Sequence, residues 1–397
     1  MKKLLLNLHF YIGLAACAFL AILGFTGAVL AFENEFNREI NPRLLKVQPR
    51  GPVLSWEVVR QKVQLQEPAW RIQRIYMPAN DDDSTYVRLV SRANGRTTDE
   101  IYVDQYSGEV LGQKLQGNQL IWKIHDLHVT LTAGNIGSRF VAWSAAGLLC
   151  LSLSGLYLWW PRKVFRVRVA KPYPRANYDL HRSLGFWSSL AMLAFAVTGI
   201  NLHIQTGGGL FTMMDDKSAA VHLPGHGTTA DEMLQSAREA LPEARTMRIS
   251  FWNDQRPVLV QMRFAEDHTP AGRSAVTLDS RTGAVLTVVS SRTAPLIYTA
   301  LVEWNREIHT GTIFGWPSRI VASILSMALF VLAVSGPMIW VNNKLAAARG
   351  RRKAAARRKQ QGSLPAEPSY TASNGLSGHG QPDIARRRAT APNDRDT

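Results

Sequence analysis

Histidine is the residue in this chain best placed to do chemistry. Ten are present, and six stand at repeated positions or beside long apolar runs: His9, His125, His128, His181, His203 and His309. A neutral imidazole ligates a metal through one ring nitrogen while the other donates a hydrogen bond, and it also relays protons. The spacing follows a pattern. His9-Phe-Tyr-Ile-Gly13 and His181-Arg-Ser-Leu-Gly185 share His-x-x-x-Gly and lie 172 residues apart, and His128 and His309 lie 181 apart. One histidine at a membrane edge ordinarily bonds backbone or lipid headgroups. Two pairs repeated in order point to ligation instead.

What these histidines can reach depends on the elements that carry them. Charged residues are absent from Phe10 to Phe32, Val141 to Pro161, Ser183 to Met214 and Ile320 to Asn343. Each run is long enough for a helix to cross a hydrocarbon core of about 30 Å. The mean hydropathy of −0.10 conceals this segregation. Apolar residues at 46% and charged residues at 19% exclude a disordered main body. Two cysteines exclude a disulfide scaffold, and Cys17 and Cys150 read as packing residues within the spans. Lys2-Lys3 before an apolar run has the outline of a signal peptide, but the run is too long and no A-x-A site ends it. The expected fold is that of an α-helical membrane protein with four transmembrane helices.

Charge sets the expected orientation. The formal net charge of +16 falls at Lys2-Lys3, at the acid-free stretch Pro161–Ala176 and in the tail from Lys344. Positive segments stay on the cytoplasmic side during insertion, so both termini are expected there. The excess then reflects topology and contact with anionic membrane lipids, and no nucleic acid partner is expected.

The chain reads as an internal two-fold repeat. Thr26-Gly27 matches Thr198-Gly199 at an offset of 172, and Ser154-Gly155 matches Ser335-Gly336 at 181. Val103-Asp-Gln-Tyr-Ser-Gly108-Glu-Val-Leu matches Leu278-Asp-Ser-Arg-Thr-Gly283-Ala-Val-Leu at 175. Each half is a span, an outer domain and a second span. Spans are expected over 4–33, 139–161, 178–206 and 319–342. Outer domains cover 34–118 and 207–300, with pre-span segments at 119–138 and 301–318. A basic cytoplasmic loop covers 162–177, and a basic, largely disordered tail covers 343–397, opening with one helical stretch. Within the outer domains, Ser55–Gln64 and Thr229–Ala240 carry helical patterns. Thr85-Tyr-Val-Arg-Leu-Val and Pro257-Val-Leu-Val-Gln-Met-Arg-Phe are rich in β-formers. Asp-x-x-Ser/Thr-Gly is a hairpin turn, started by Asp104 or Asp279 and closed by Gly108 or Gly283. Two extracytoplasmic α+β domains follow.

These motifs, the Asp-x-x-Ser/Thr-Gly-x-Val-Leu hairpin, the spans opening with His-x-x-x-Gly and His309-Thr-Gly before the last span, resemble the PepSY-associated transmembrane family. The resemblance covers about residues 4–342. It implies PepSY-like outer domains, placement in a bacterial inner membrane with the outer domains in the periplasm, and a haem-containing ferric-siderophore reductase. Some related proteins carry a cytoplasmic flavin domain; no Gly-rich dinucleotide fingerprint occurs here.

Haem needs axial nitrogens from opposing helices and an apolar slot. His9 with His181 would hold an inner haem, and His128 with His309 an outer one. Gly13 and Gly185 would let a flat ring approach the backbone. His203 lies 22 residues after His181, about 33 Å along a helix, so it belongs to the outer face. With His125 it forms an alternative outer pair. No Cys-x-x-Cys-His occurs, so each haem is non-covalent and b-type. Histidine without cysteine argues against iron–sulfur clusters, and histidines on two sides argue against zinc. Such a chain would pass electrons across the membrane from quinol or a cytosolic flavoprotein to ferric siderophore, releasing Fe(II). Trp122, Trp252, Trp304, Tyr298, Arg248 and Arg306 are candidates to line an outer cleft, against core packing for most of the aromatics. The competing classes are a non-enzymatic membrane protein that regulates a peptidase and a histidine-lined metal transporter. His222, His226 and His268 fall in outer loops away from the repeated positions and are expected to be dispensable.

Overall fold

The computed structural model describes residues 2–362 apart from 96, 115–119, 162, 164, 169–171, 207–218, 253–255, 270–271 and 294–303. The chain opens with α1 (Lys2–Leu30), then the short α2 (Glu33–Ile40) and α3 (Pro42–Leu45). Helix α4 (Trp56–Gln66) precedes β1 (Trp70–Tyr76), β2 (Thr85–Ser91), β3 (Thr98–Val103) and β4 (Val110–Gln113). Helix α5 (Leu120–Thr130) leads into α6 (Gly134–Trp159), and α7 (Tyr173–Thr206) follows. After β5 (Ala219–Leu223) come α8 (Ala230–Ala240), β6 (Arg245–Ser250), β7 (Val258–Arg263), β8 (Ser274–Leu278) and β9 (Val285–Val289). Helix α9 (Trp304–Thr310) and the long α10 (Trp316–Gly362) close the described chain. Residues 344–397 are a unit of their own, helical as far as Gly362.

Helices α1, α6, α7 and α10 are each long and apolar enough to cross a membrane. They overrun the charge-free stretches: α6 starts at Gly134 and α7 at Tyr173. Polar partners permit the extension of α7. Asp179, fully buried, is paired with Arg168 at 2.8 Å and with Arg175 at 3.2 Å. The bundle closes on small residues. A Cβ on Gly24 would stand 2.6 Å from the Phe330 amide nitrogen, so α1 and α10 meet backbone to backbone. Ala16, Leu20, Leu148, Met192, Ala196, Leu329 and Ala333 fill the interior. Large apolar side chains such as Trp143, Leu190 and Ile324 face outward, as a lipid-facing surface requires. Cys150 is exposed on α6 rather than packed, and Cys17 is half-buried.

The strands form one antiparallel sheet in the order β4-β3-β2-β1-β6-β7-β8-β9-β5. The segment between α1 and α6 and the segment between α7 and α10 therefore share a sheet, joined where Ile75 faces Ile249 across β1 and β6. Helices α4 and α8 cover one face over a core that includes Val59, Val63, Ile75, Leu234, Ile249 and Met262. Ser55 caps α4, and Thr229 caps α8 in a full capping box with Glu232. Both hairpins close as turns. Asp104 accepts from the Tyr106 amide, and Asp279 accepts from the Arg281 and Thr282 amides. Gly108 and Gly283 hold φ of 75° and 71°, a conformation that glycine adopts without strain. Arg319, at the start of α10, donates to the Ala31 carbonyl just after α1 and pairs with Glu35 on α2.

Candidate functional site

Four of the singled-out histidines are held in one way. His9 Nδ1 lies 2.9 Å from Ser154 Oγ, and His181 Nδ1 lies 2.8 Å from Ser335 Oγ. His128 Nδ1 lies 2.8 Å from Thr26 Oγ1, and His309 Nδ1 lies 2.9 Å from Thr198 Oγ1. In each case the hydroxyl belongs to a transmembrane helix other than the one carrying the histidine. The next residue along that helix is glycine. Its missing side chain makes room for the imidazole: a Cβ on Gly155, Gly336, Gly27 or Gly199 would stand 3.1 to 3.3 Å from the ring Cε1.

The hydroxyls also fix the tautomer. Thr26, Ser154 and Thr198 each donate to a carbonyl four residues earlier in their own helix, at 2.7, 2.6 and 2.6 Å. Ser335 donates more weakly, at 3.3 Å to Leu332. A hydroxyl has one hydrogen. With it bound to the helix, the oxygen accepts from Nδ1–H, and Nε2 keeps its lone pair. That is the state in which an imidazole ligates metal, with its second nitrogen anchored.

The four histidines form two tiers. His128 on α5 and His309 on α9 meet at the sheet end of the bundle, with ring centres 6.3 Å apart. A metal between two imidazoles, at about 2 Å from each nitrogen, puts the ring centres about 6 Å apart. Burial keeps both neutral. It lowers the His128 pKa to about 3, with the charges of His309 and His125 adding to the effect, and the His309 pKa to about 4. At the opposite end, His9 on α1 and His181 on α7 line one cavity of about 650 Å³, walled by Leu148, Leu151, Leu332 and Trp340. That volume suits an organic ligand or cofactor. Gly13 and Gly185 line the same cavity, where a Cβ would stand 3.6 Å from Leu151 and 3.7 Å from Leu332 respectively.

The residues fit a haem. Among the described residues no three His, Cys, Asp or Glu side chains converge as a metal site. At each tier two imidazoles keep Nε2 free, a donor set that would suit a haem. His125 and His203 stand apart from this pattern. His125 Nδ1 is held by Glu33 at 2.9 Å, and His203 Nδ1 by Ser138 at 3.1 Å. His226 pairs with Glu239 at 2.6 Å, and His268 packs edge-on against Trp304. The side chain of His222, and Tyr298 altogether, lie outside the described residues.

The Ser/Thr-Gly pairs were visible in the sequence as repeats, but their role was not. A second signal also went unread. Asn177 and Asn305 each stand four residues before a histidine. They donate to the carbonyls of Ser335 at 3.1 Å and Thr198 at 3.2 Å. Each therefore latches the histidine's helix to the residue that holds the ring.

The family model of the PepSY-associated TM region matches residues 6–343, and the chain belongs to that family. It is a multi-pass membrane protein with an antiparallel PepSY-type sheet region. No curated protein matches the chain.

Proposed function

We propose that the chain is an inner-membrane b-type haem protein that carries electrons across the bilayer and reduces ferric siderophore in the periplasm, releasing Fe(II). The observation that carries this reading is the fourfold Ser/Thr-Gly grip on His9, His181, His128 and His309, arranged in two tiers. One tier lies at each end of the spans, which suits passage of charge through a layer that a single centre would not bridge. The two halves are read as an internal repeat, with the sheet outside and both termini in the cytoplasm; the basic segments support that orientation. The electron donor is quinol or a cytosolic flavoprotein.

Bound haem would supply one-electron chemistry at each tier. The chain's own contributions are separate and specific. His9 with His181, and His128 with His309, would hold the haem iron through Nε2. The hydroxyls hold Nδ1–H and so prevent ring rotation. Leu148, Leu151 and Leu332 would give the ring an apolar wall in the cavity that His9 and His181 line.

The visible spectrum of the purified protein tests the reading. A Soret band with the α-band of bis-histidine b-haem is expected, at two haems per chain. Colourless protein would remove it, and peptidase regulation or metal transport would take its place.

A further inference from the structure

The sheet carries a second arrangement, away from the histidines. Helices α4 and α8 cover one face. On the other face, cross-strand register aligns two rows over the β1–β6 junction. In one row Tyr102 faces Tyr86, Tyr86 faces Tyr76 and Tyr76 faces Arg248. The rings lie 5.8 and 4.6 Å apart, and the Arg248 guanidinium sits 5.7 Å from the Tyr76 ring. In the other row Glu100 faces Arg88, Arg88 faces Arg74 and Arg74 faces Ser250. Arg74 lies over Trp252 at 5.3 Å.

The junction is short of acceptors. Glu100 is already held by Arg88 at 2.7 Å and Lys114 at 2.8 Å. Burial lowers the Arg248 pKa; the Tyr76 hydroxyl favours the cation, whereas the neighbouring charges of Arg74 and Arg88 oppose it. Arg74 Nε and Arg248 Nε are buried without a hydrogen-bond partner. The Ser250 hydroxyl, on the same face, is also without a partner, and Ser250 is 1% exposed. Leaving a buried polar group unpaired is costly, and facing cations repel. Such an arrangement does not stabilise the sheet; an anion would complete it. Two guanidinium forks suit oxygen anions in bidentate contact, and the tyrosine ladder offers a flat aromatic floor.

We propose that the β1–β6 junction binds an anionic iron chelate of carboxylate type, gripped by Arg74 and Arg248, and that neutral or cationic hydroxamate chelates are not its ligands. This rests on the reading of the chain as a ferric-siderophore reductase and names its substrate class.

The test uses gallium(III) citrate, which matches the ferric complex in charge but accepts no electrons under these conditions. Binding to the full-length protein in detergent is read by tryptophan fluorescence. Wild type is expected to bind it, more weakly as salt rises. The double variant Arg74→Gln/Arg248→Gln is expected to bind at least 10-fold more weakly, and Arg74→Lys/Arg248→Lys to retain part of the affinity. Unchanged affinity in the glutamine variant would overturn the site. Equally tight binding of the cationic gallium complex of a hydroxamate chelator would overturn the charge selectivity. Equally tight binding of metal-free citrate would reduce the site to one for plain carboxylates and overturn the chelate assignment. The haem spectrum separates this inference from the reading beneath it. An intact spectrum without gallium citrate binding overturns the site alone. Colourless protein that binds gallium citrate overturns the reductase alone.

Discussion

Glu57 and Asp231 each cap the helix that carries the other. Asp231, on α8, accepts from the amides of Trp56 and Glu57 at 3.0 and 2.9 Å. Glu57, on α4, accepts from the amide of Ala230 at 3.0 Å. Each carboxylate thus satisfies free N–H groups at its neighbour's first turn, where the helix dipole also favours negative charge. Together with the β1–β6 pairing, this locks the two outer segments into one body.

Asp231→Ala should therefore destabilise the sheet region as a whole, by about 1–2 kcal/mol as for loss of an N-cap. Asp231→Asn should keep part of the capping. Thermal unfolding followed by circular dichroism in detergent reads both. A loss confined to α8, with the α4 segment unaffected in hydrogen exchange, would show that the two helices are not coupled.

Much of this architecture was legible locally. Charge-free runs mark the four spans, Ser55 and Thr229 announce helix starts, and Asp104 and Asp279 announce turns. These signals work because cap, turn and lipid solvation act over a few residues. The continuous sheet was not legible. Ile75 opposite Ile249 is a pairing between distant residues, and any two apolar strands of equal length would read the same. Arg168 misled in another way. As one of a run of cations it reads as a topology signal, yet it binds the buried Asp179. At the candidate site the sequence marked the histidines and the Ser/Thr-Gly pairs separately. That Ser154 belongs to His9, and Thr26 to His128, depends on which helices are neighbours.

The hydroxyl grip can be tested on Ser154. Ser154→Ala leaves His9 Nδ1–H without its acceptor and the ring free to turn. On the proposed haem reading, haem affinity at the His9–His181 tier should fall about 10- to 100-fold, as for loss of an outer-shell partner. Ser154→Thr, with the hydroxyl kept, should restore it. Ser138→Ala removes the hydroxyl at His203 Nδ1 and should leave the haem-to-protein ratio unchanged. The haem-to-protein ratio after gel filtration decides the matter; a loss in Ser138→Ala equal to that in Ser154→Ala would put His203 among the ligands.

Glycine at the ring contact is a separate requirement. In Gly155→Ala the new Cβ would stand 3.1 Å from His9 Cε1, so the imidazole must shift by a few tenths of an ångström. Gly147→Ala, on the same helix, places its Cβ an ordinary 3.5 Å from Ile12. Alanine also favours a helix over glycine by about 1 kcal/mol. Gly155→Ala should perturb the α-band and low-spin electron paramagnetic resonance of the inner haem, whereas Gly147→Ala should leave both unchanged and raise the melting temperature slightly. Matching spectra for the two variants would mean that the Gly155 contact does not constrain the ring.

Glu307 supplies the pH dependence. It lies on α9, fully buried, and neither carboxyl oxygen has a hydrogen-bond partner. Burial raises its pKa above the ordinary 4.5, against the opposing pull of its own backbone amide and of Arg273, Arg306 and His268. A carboxyl whose folded pKa is raised holds its proton more tightly in the native state than in the unfolded one. Its contribution to stability is therefore fully present below the unfolded pKa and is lost as pH rises through the folded value. Glu307→Gln keeps the shape and removes the titration. The variant and wild type should unfold at similar temperatures near pH 4.5, and the wild type should fall progressively behind as pH rises towards 8. A difference that stays constant from pH 4.5 to pH 8 would mean that Glu307 does not titrate in this range, and the assignment of its raised pKa would fail.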